Sequence, residues 1–310
     1  MAQAPIPSFN ADEALVRVET AALNFSDLLM IDDRYQVRPP RPFTPGQEIS
    51  GTVVAAGAQS GLAVGERIAS KLLWGGFAGY APVRGDMAIR IPVGMTCEVA
   101  CALPVSYTTA MVALTESTTI KHGETVLVLA AAGGVGLAAV EIARHLGARV
   151  IAAAGGEAKC LLARQHGAHA AVDYRQENWG DEITRLTAGR GVDVIVDPVG
   201  GVATKQAIRM VASDGRLLIV GFASGEIPQI PANRLLLKRA SAIGVYWNHD
   251  RDATMLGRVS DRLAALLHDN AIRPCIGATF AFDRLPEALE ALAGRRTTGK
   301  VAIIVNHKDT

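Results

Sequence analysis

The chain has 310 residues, 49% hydrophobic and 20% charged, with 31 basic against 30 acidic side chains. At ~150 residues per domain this length is a prior for two domains, each with enough apolar side chain for its own core, and the composition is not that of a disordered chain. A formal net charge of +1 offers no basic surface that implies nucleic acid by charge alone.

Other classes fall away on local features. Four cysteines are no disulfide framework. The start, MAQAPIPSFNADEALVRV, lacks the charged opening and apolar stretch of a secretory signal. Apolar runs such as residues 125–132 fall short of the ~20 residues a membrane span needs. A reducing cytoplasm is the expected setting, with no membrane partner.

The elements fall into three zones. Residues 1 to about 105 are rich in Gly and Pro and read as short strands, with alternating runs at 14–21 (ALVRVETA) and 49–57 (ISGTVVAAG). The prolines of RPPRPFTPG, 38–46, demand an extended loop. From about 107 to 246 apolar strands alternate with helical segments. Strands are expected at 125–131, 148–154, 170–174, 192–197, 215–221 and 241–247. Helices are expected at 134–146, 157–166, 178–187 and 202–211. Repeated β-α-β with continuous apolar strands predicts a parallel sheet covered on both faces. The last zone, about 247 to 310, has helical stretches at 253–268 and 285–293 and a strand at 300–305.

The strongest signal is the turn AAAGGVG, 130–136, between the first strand of the middle zone and its helix. Reading G-x-G-x-x-G onto it puts Ala131 at the first glycine, Gly133 at the second and Gly136 at the third. Gly133 lets the backbone approach a pyrophosphate, and Gly136 lets helix and strand pack closely. The helix beginning near Gly134 points its free N–H groups and positive dipole end at the anion. The alternative is a tight strand-helix turn with no ligand. NAD-binding folds place an acid at the end of the second strand to bond the ribose 2′-OH. Here Ala154-Gly155-Gly156 stands there, and Lys159 lies one turn into the next helix, with Arg164 and Tyr174 as further helpers. The pattern favours NADP over NAD, although Lys159 also reads as an ordinary surface lysine.

These residues resemble a known family. AAAGGVGLAAVEIARHLGARVIAAA, DVIVDPVGG and GRLLIVGFASGEIP, with ALNFSDLLM, RYQVRPPRPFTPGQEISG and ALPVSYTTA upstream, look like the zinc-independent quinone oxidoreductases of the medium-chain dehydrogenase/reductase superfamily. The resemblance runs from about residue 14 to 305. It implies an α/β chain: a GroES-like β-rich catalytic domain at 1–106 and 247–310, and a Rossmann doubly wound parallel sheet at 107–246. It further implies an NADPH site in the cleft between the two, and a homodimer through the strand at 240–247. Carried over residue by residue, it puts Asn24 close to the nicotinamide and Thr109 on the cofactor. Gly133, Gly134, Val135 and Gly136 fall on the pyrophosphate, Lys159 and Tyr174 on the adenosine half, and Gly221 and Phe222 along the nicotinamide; Arg295 reaches the cofactor from the C-terminal segment. The chain departs from its relatives in three places. It starts after roughly their first β-hairpin, so either the start is truncated or the catalytic domain lacks an edge strand. Asp33 stands where relatives usually have Gly, and Gly155 where they often have Ser.

Zinc members of the superfamily use Cys and His at the cleft; Asn24 and Gln47 stand at the matching places and are poor zinc ligands. Cys97 and Cys101 read as small buried residues, and His166 and His169 as surface. No metal is expected. Without a Lewis acid the natural acceptor is one that takes hydride readily, and a quinone, which gains aromaticity, fits first. Asn24 would position the nicotinamide or the acceptor oxygen. The alternative is an enone or enoyl-thioester reductase with Tyr35 as proton donor; against it, Tyr35 reads as a ring packed beside the Pro-rich loop. A reading of another class is a non-catalytic nucleotide-binding or RNA-binding crystallin-like protein. The acceptor pocket is expected around Asn24, Tyr35, Leu73, Trp74 and Phe222, with Tyr246 and Trp247 as further candidates.

Overall fold

In the computed structural model, which describes residues 3–306, the chain opens on strand β1 (Glu13–Leu23), with one exposed position along an otherwise buried or half-buried run. Helix α1 (Phe25–Ile31), strands β2 (Glu48–Ala56), β3 (Arg67–Lys71), β4 (Tyr80–Arg84) and β5 (Ala88–Arg90), and the short α2 (Cys97–Ala100) follow. Then come α3 (Thr108–Met111), β6 (Thr125–Leu129), α4 (Gly134–His145), β7 (Arg149–Ala154), α5 (Glu157–Gln165), β8 (Ala170–Asp173), α6 (Trp179–Leu186), β9 (Val192–Asp197), α7 (Gly201–Ala207), β10 (Val211–Ile219), α8 (Ala232–Lys238), β11 (Ser241–Gly244) and α9 (His249–His268). Strand β12 (Ile276–Ala281), helix α10 (Leu285–Ala293) and strand β13 (Lys300–Ile304) end the described chain. It divides into two units: one runs up to Val105 and resumes at Pro274, the other is Ser106–Arg273.

The first unit is a mixed sheet in the order β12-β13-β1-β2-β3-β5, with β4 also paired to β1. Strand β1 runs antiparallel to β13, β2 and β4, while β12 and β13 are parallel. Val16, Val18, Leu23, Ile49, Val53, Ile68, Phe77, Val301 and Ile303 form its core. Leu285, Leu289 and Leu292 of α10, spaced on one helical face, pack against it.

The second unit is an all-parallel sheet in the order β11-β10-β9-β6-β7-β8. Numbered within the unit, that is 3-2-1-4-5-6 read from the β8 edge, the doubly wound order in which ligands bind beyond the carboxyl ends of the strands where the winding reverses. Strand β6 is buried along its whole length, as a central strand covered on both faces must be. The reversal lies between β6 and β9, and α4 begins there.

Three expectations are corrected. The boundary at 246/247 moves to Arg273/Pro274, because α9 buries Leu256, Val259, Leu263 and Leu266 within the second unit. The helix expected at 202–211 ends at Ala207, and β10 already begins at Val211. A helical run at Cys97–Glu116, with wider π turns at Leu103–Tyr107 and Val112–Glu116, is long and apolar enough to cross a membrane by composition. Glu98 and a string of hydroxyl residues break its apolar runs and hide it from the sequence pattern. Of its apolar window 78% is buried inside the protein, which makes it a core helix.

Candidate functional site

The turn from β6 to α4 is built as a phosphate cradle. Ala130 sits at φ 47, and Gly133, at φ −87 and ψ 174, is the extended residue that opens α4. No side chain caps this helix. Gly133 donates to Ala130 O at 2.9 Å and Leu137 to Gly133 O at 2.8 Å, so the N–H groups of Gly134, Val135 and Gly136 are the orphan donors of the first turn. A Cβ on Gly136 would lie 2.2 Å from Ala130 O and 2.7 Å from Ala131 Cα, both backbone. Only glycine fits there. Gly133, Gly134 and Val135 are half-buried. These residues suit the diphosphate of a dinucleotide.

Beyond β7 the chain runs through Gly155 and Gly156, the latter at φ 102. The Tyr174 ring stands 3.5 Å from where a Gly155 Cβ would be. Lys159 is half-buried in the first turn of α5. Asp173, the last residue of β8, accepts the N–H of Gly156 at 3.0 Å and grips Arg175 through Nε at 3.1 Å and Nη2 at 2.9 Å. The Arg175 bonds hold the Asp173 carboxyl well below its ordinary range. The guanidinium lies over Gly156, with Nη2 2.5 Å from the position of an added Cβ. Sequence reasoning missed Arg175, which reaches the β7 turn only because β8 lies beside β7.

Thr109, on α3, accepts the indole N–H of Trp247 at 3.1 Å. Gly221 and Phe222 follow β10; the Phe222 ring edge stands 3.0 Å from an added Cβ on Gly200. Tyr246 is exposed beneath the Arg251 guanidinium, 5.7 Å from its ring centre. His166 is corrected from surface to mostly buried: its Nδ1 lies 2.6 Å from Glu141, whose other oxygen accepts Tyr107 and the N–H of Arg273. His169 is exposed as expected.

The first unit holds Asn24, Tyr35 and Arg295. Asn24 precedes α1 and is buried against an ion pair absent from the sequence reading, Lys300 with Glu48 at 2.6 Å. Lys300 Nζ also donates to Leu23 O at 2.9 Å and Asn24 Oδ1 at 2.7 Å. Asn24 Nδ2 donates to Glu48 Oε2 at 3.1 Å, and Glu48 Oε1 accepts the N–H of Val105 at 2.7 Å. Asp27, fully buried, accepts the Asn24 N–H at 2.8 Å through Oδ2, while its Oδ1 meets no hydrogen-bond donor within bonding distance among the described residues. Burial pushes its pKa up to about 7, against the pull of that N–H and of Lys300. Gln47 Oε1 accepts the Ser26 hydroxyl. Tyr35 is half-buried in the bend after α1, and Arg295 is exposed in the turn after α10. Zinc does not fit this donor set: the carboxamides at 24 and 47 are poor ligands already bonded to neighbours, and Glu48 faces an ammonium. Among the described residues no three His, Cys, Asp or Glu side chains converge on a metal site. Cys97 and Cys101 are buried, as expected, and burial raises both thiols.

Residues 10–98 match the alcohol dehydrogenase GroES-like domain model, and residues 134–263 the model of the zinc-binding dehydrogenase domain. The chain is 39% identical over 302 residues to the quinone oxidoreductase-like protein 2 homolog of Nematostella vectensis, covering 96% of this chain and 82% of that protein. Among solved structures it is similar to the quinone oxidoreductase from Thermus thermophilus, described with its NADPH complex: 33% identity, TM-score 0.86, 98% of this chain and 95% of that one. It is also similar to the CurK enoyl reductase, at 25% identity and TM-score 0.85 over 98% of this chain and 94% of that one.

Proposed function

This chain belongs to the quinone oxidoreductase family of the medium-chain dehydrogenase/reductase superfamily, and on that premise we propose that it binds NADPH and reduces a quinone without a metal. The observation that carries the reading is the β6–α4 turn, where glycine is sterically required at 136 and no side chain caps the helix that follows. When bound, NADPH supplies the hydride.

The protein's part is to bind and orient. The amides of Gly134, Val135 and Gly136 hold the diphosphate; Gly155, Lys159 and Tyr174 flank the adenosine half. Asn24 has a more restricted role than the sequence suggested. Its neighbours fix the amide: Oδ1 toward Lys300, and the two Nδ2 hydrogens toward Glu48 and Ala22 O. With Nδ2 engaged, its remaining capacity is a second lone pair on Oδ1, which suits a donor such as a carboxamide N–H and not an acceptor oxygen. The metal-free reading is supported by Gln47 and Asn24, whose polar ends are spent on Ser26, Glu48 and Lys300. We also propose a homodimer through 240–247: β11 is an edge strand, with Leu236 and Leu237 exposed on the preceding helix.

The likeness to an enoyl reductase, with Tyr35 half-buried in the loop after Asn24's helix, supports a second reading as an enone or enoyl-thioester reductase. The test is NADPH oxidation with a panel of quinones and a crotonyl-type thioester, by wild type and Tyr35→Phe. Quinone reduction that survives Tyr35→Phe supports the first reading. Thioester reduction without quinone turnover, abolished in Tyr35→Phe, supports the second. No NADPH oxidation with any acceptor overturns both.

A further inference from the structure

In a 3-2-1-4-5-6 sheet the adenosine ribose lies beyond the end of the second strand. In this chain that strand is β7, and the residues beyond it, Gly155 and Gly156, have no side chain of their own to read the 2′ position. The space over Gly156 is filled from the neighbouring strand. The Arg175 guanidinium lies there, with Nη2, Cζ and Nη1 at 2.5, 3.0 and 3.2 Å from an added Cβ. Asp173 takes Nε and Nη2 as one side of the fork, and the same carboxylate accepts the Gly156 N–H. The guanidinium is thereby tied to the backbone of the turn, and Nη1 is left on the side away from the carboxylate.

We propose that Arg175 is a specificity-determining residue that donates to the 2′-phosphate of NADPH from across the β7 turn, and that Asp173 is the positioning residue that aims it. The inference rests on the reading that the β6–α4 turn holds the diphosphate. Arginine suits this role because its planar fork can bond a carboxylate with one edge and a phosphate oxygen with the remaining amine. Gly156 is part of the device, since any side chain at that position would displace the guanidinium. Asp173 also limits the effect. Its charge offsets that of Arg175, so the phosphate meets a directed donor and not a bare cationic patch. The discrimination is therefore graded, not absolute.

The test is equilibrium binding to the full chain, by titration calorimetry, with NADPH, NADH and 2′,5′-ADP. Arg175 is well exposed, so Arg175→Ala is expected to fold normally. It should weaken NADPH and 2′,5′-ADP by about tenfold, as loss of one exposed charge-assisted bond implies, and leave NADH within about twofold. Arg175→Lys, which keeps charge but not the fork, should recover only part of the loss. Asp173→Asn should weaken NADPH more than NADH. If NADPH and NADH weaken together in Arg175→Ala, the residue is only a latch for the turn and the inference fails while the NADPH reading stands. Unchanged NADPH affinity overturns it equally. If wild type binds neither dinucleotide, the nucleotide reading fails first and takes this one with it.

Discussion

Replacing Lys300 by methionine should destabilise the first unit far more than a surface substitution. Lys300 and Glu48 are almost wholly buried and 2.6 Å apart. At an effective dielectric of 20 their attraction is about 6 kcal/mol, against which the cost of removing both charges from water must be set. Removing one partner alone leaves the other uncompensated, which typically costs about 3–5 kcal/mol. Lys300→Met also removes the bonds to Leu23 O and Asn24 Oδ1, in the direction of a larger loss. Adding Glu48→Gln removes the stranded charge and leaves Oε1 able to accept the Val105 N–H, so the double variant should be more stable than Lys300→Met by about 1–3 kcal/mol. Urea unfolding followed by circular dichroism measures all four proteins. A loss under about 1 kcal/mol for Lys300→Met, or strict additivity of the two changes, would refute the reasoning.

Gly136→Ala should abolish measurable NADPH binding and destabilise the second unit by about 1–3 kcal/mol, because its Cβ meets backbone that cannot yield, whereas Gly155→Ala, 3.5 Å from the Tyr174 ring, should bind within about twofold of wild type. Calorimetry on the pair checks this. Asp27 sets a pH dependence of definite sign. Its pKa rises from 3.8 unfolded to about 7 folded, so between those values the folded state holds a proton that the unfolded state has lost, and stability falls as pH rises through that window. Asp27→Asn should flatten the decline between about pH 4 and 7 in urea melts; an unchanged slope would place its origin elsewhere.

The second unit was legible because its signals are local. An apolar strand, a glycine turn and an amphipathic helix lie next to one another at 125–145, and the steric need for Gly136 is expressed within seven residues. The ion pair was not legible. Glu48 and Lys300 each look like ordinary surface charge, and only the pairing of β1 with β2 and β13 brings them beside Asn24. Arg175 was hidden for the same reason: it follows β8 in sequence but serves the turn after β7. Helix α1 escaped notice because NFSDLLM is too short for a period to show, and α8 because Leu236 and Leu237 are exposed and Leu235 alone of its leucines packs inward, which sets no helical period. The unit boundary at Arg273 depends on where α9 packs, which its sequence periodicity does not specify.

The most direct measurement is a crystal structure of the chain grown with NADPH. The diphosphate should rest on the amides of Gly134, Val135 and Gly136, with the adenosine ribose beyond β7. A dinucleotide seated anywhere else, or that cradle closed over by neighbouring side chains, would contradict the account.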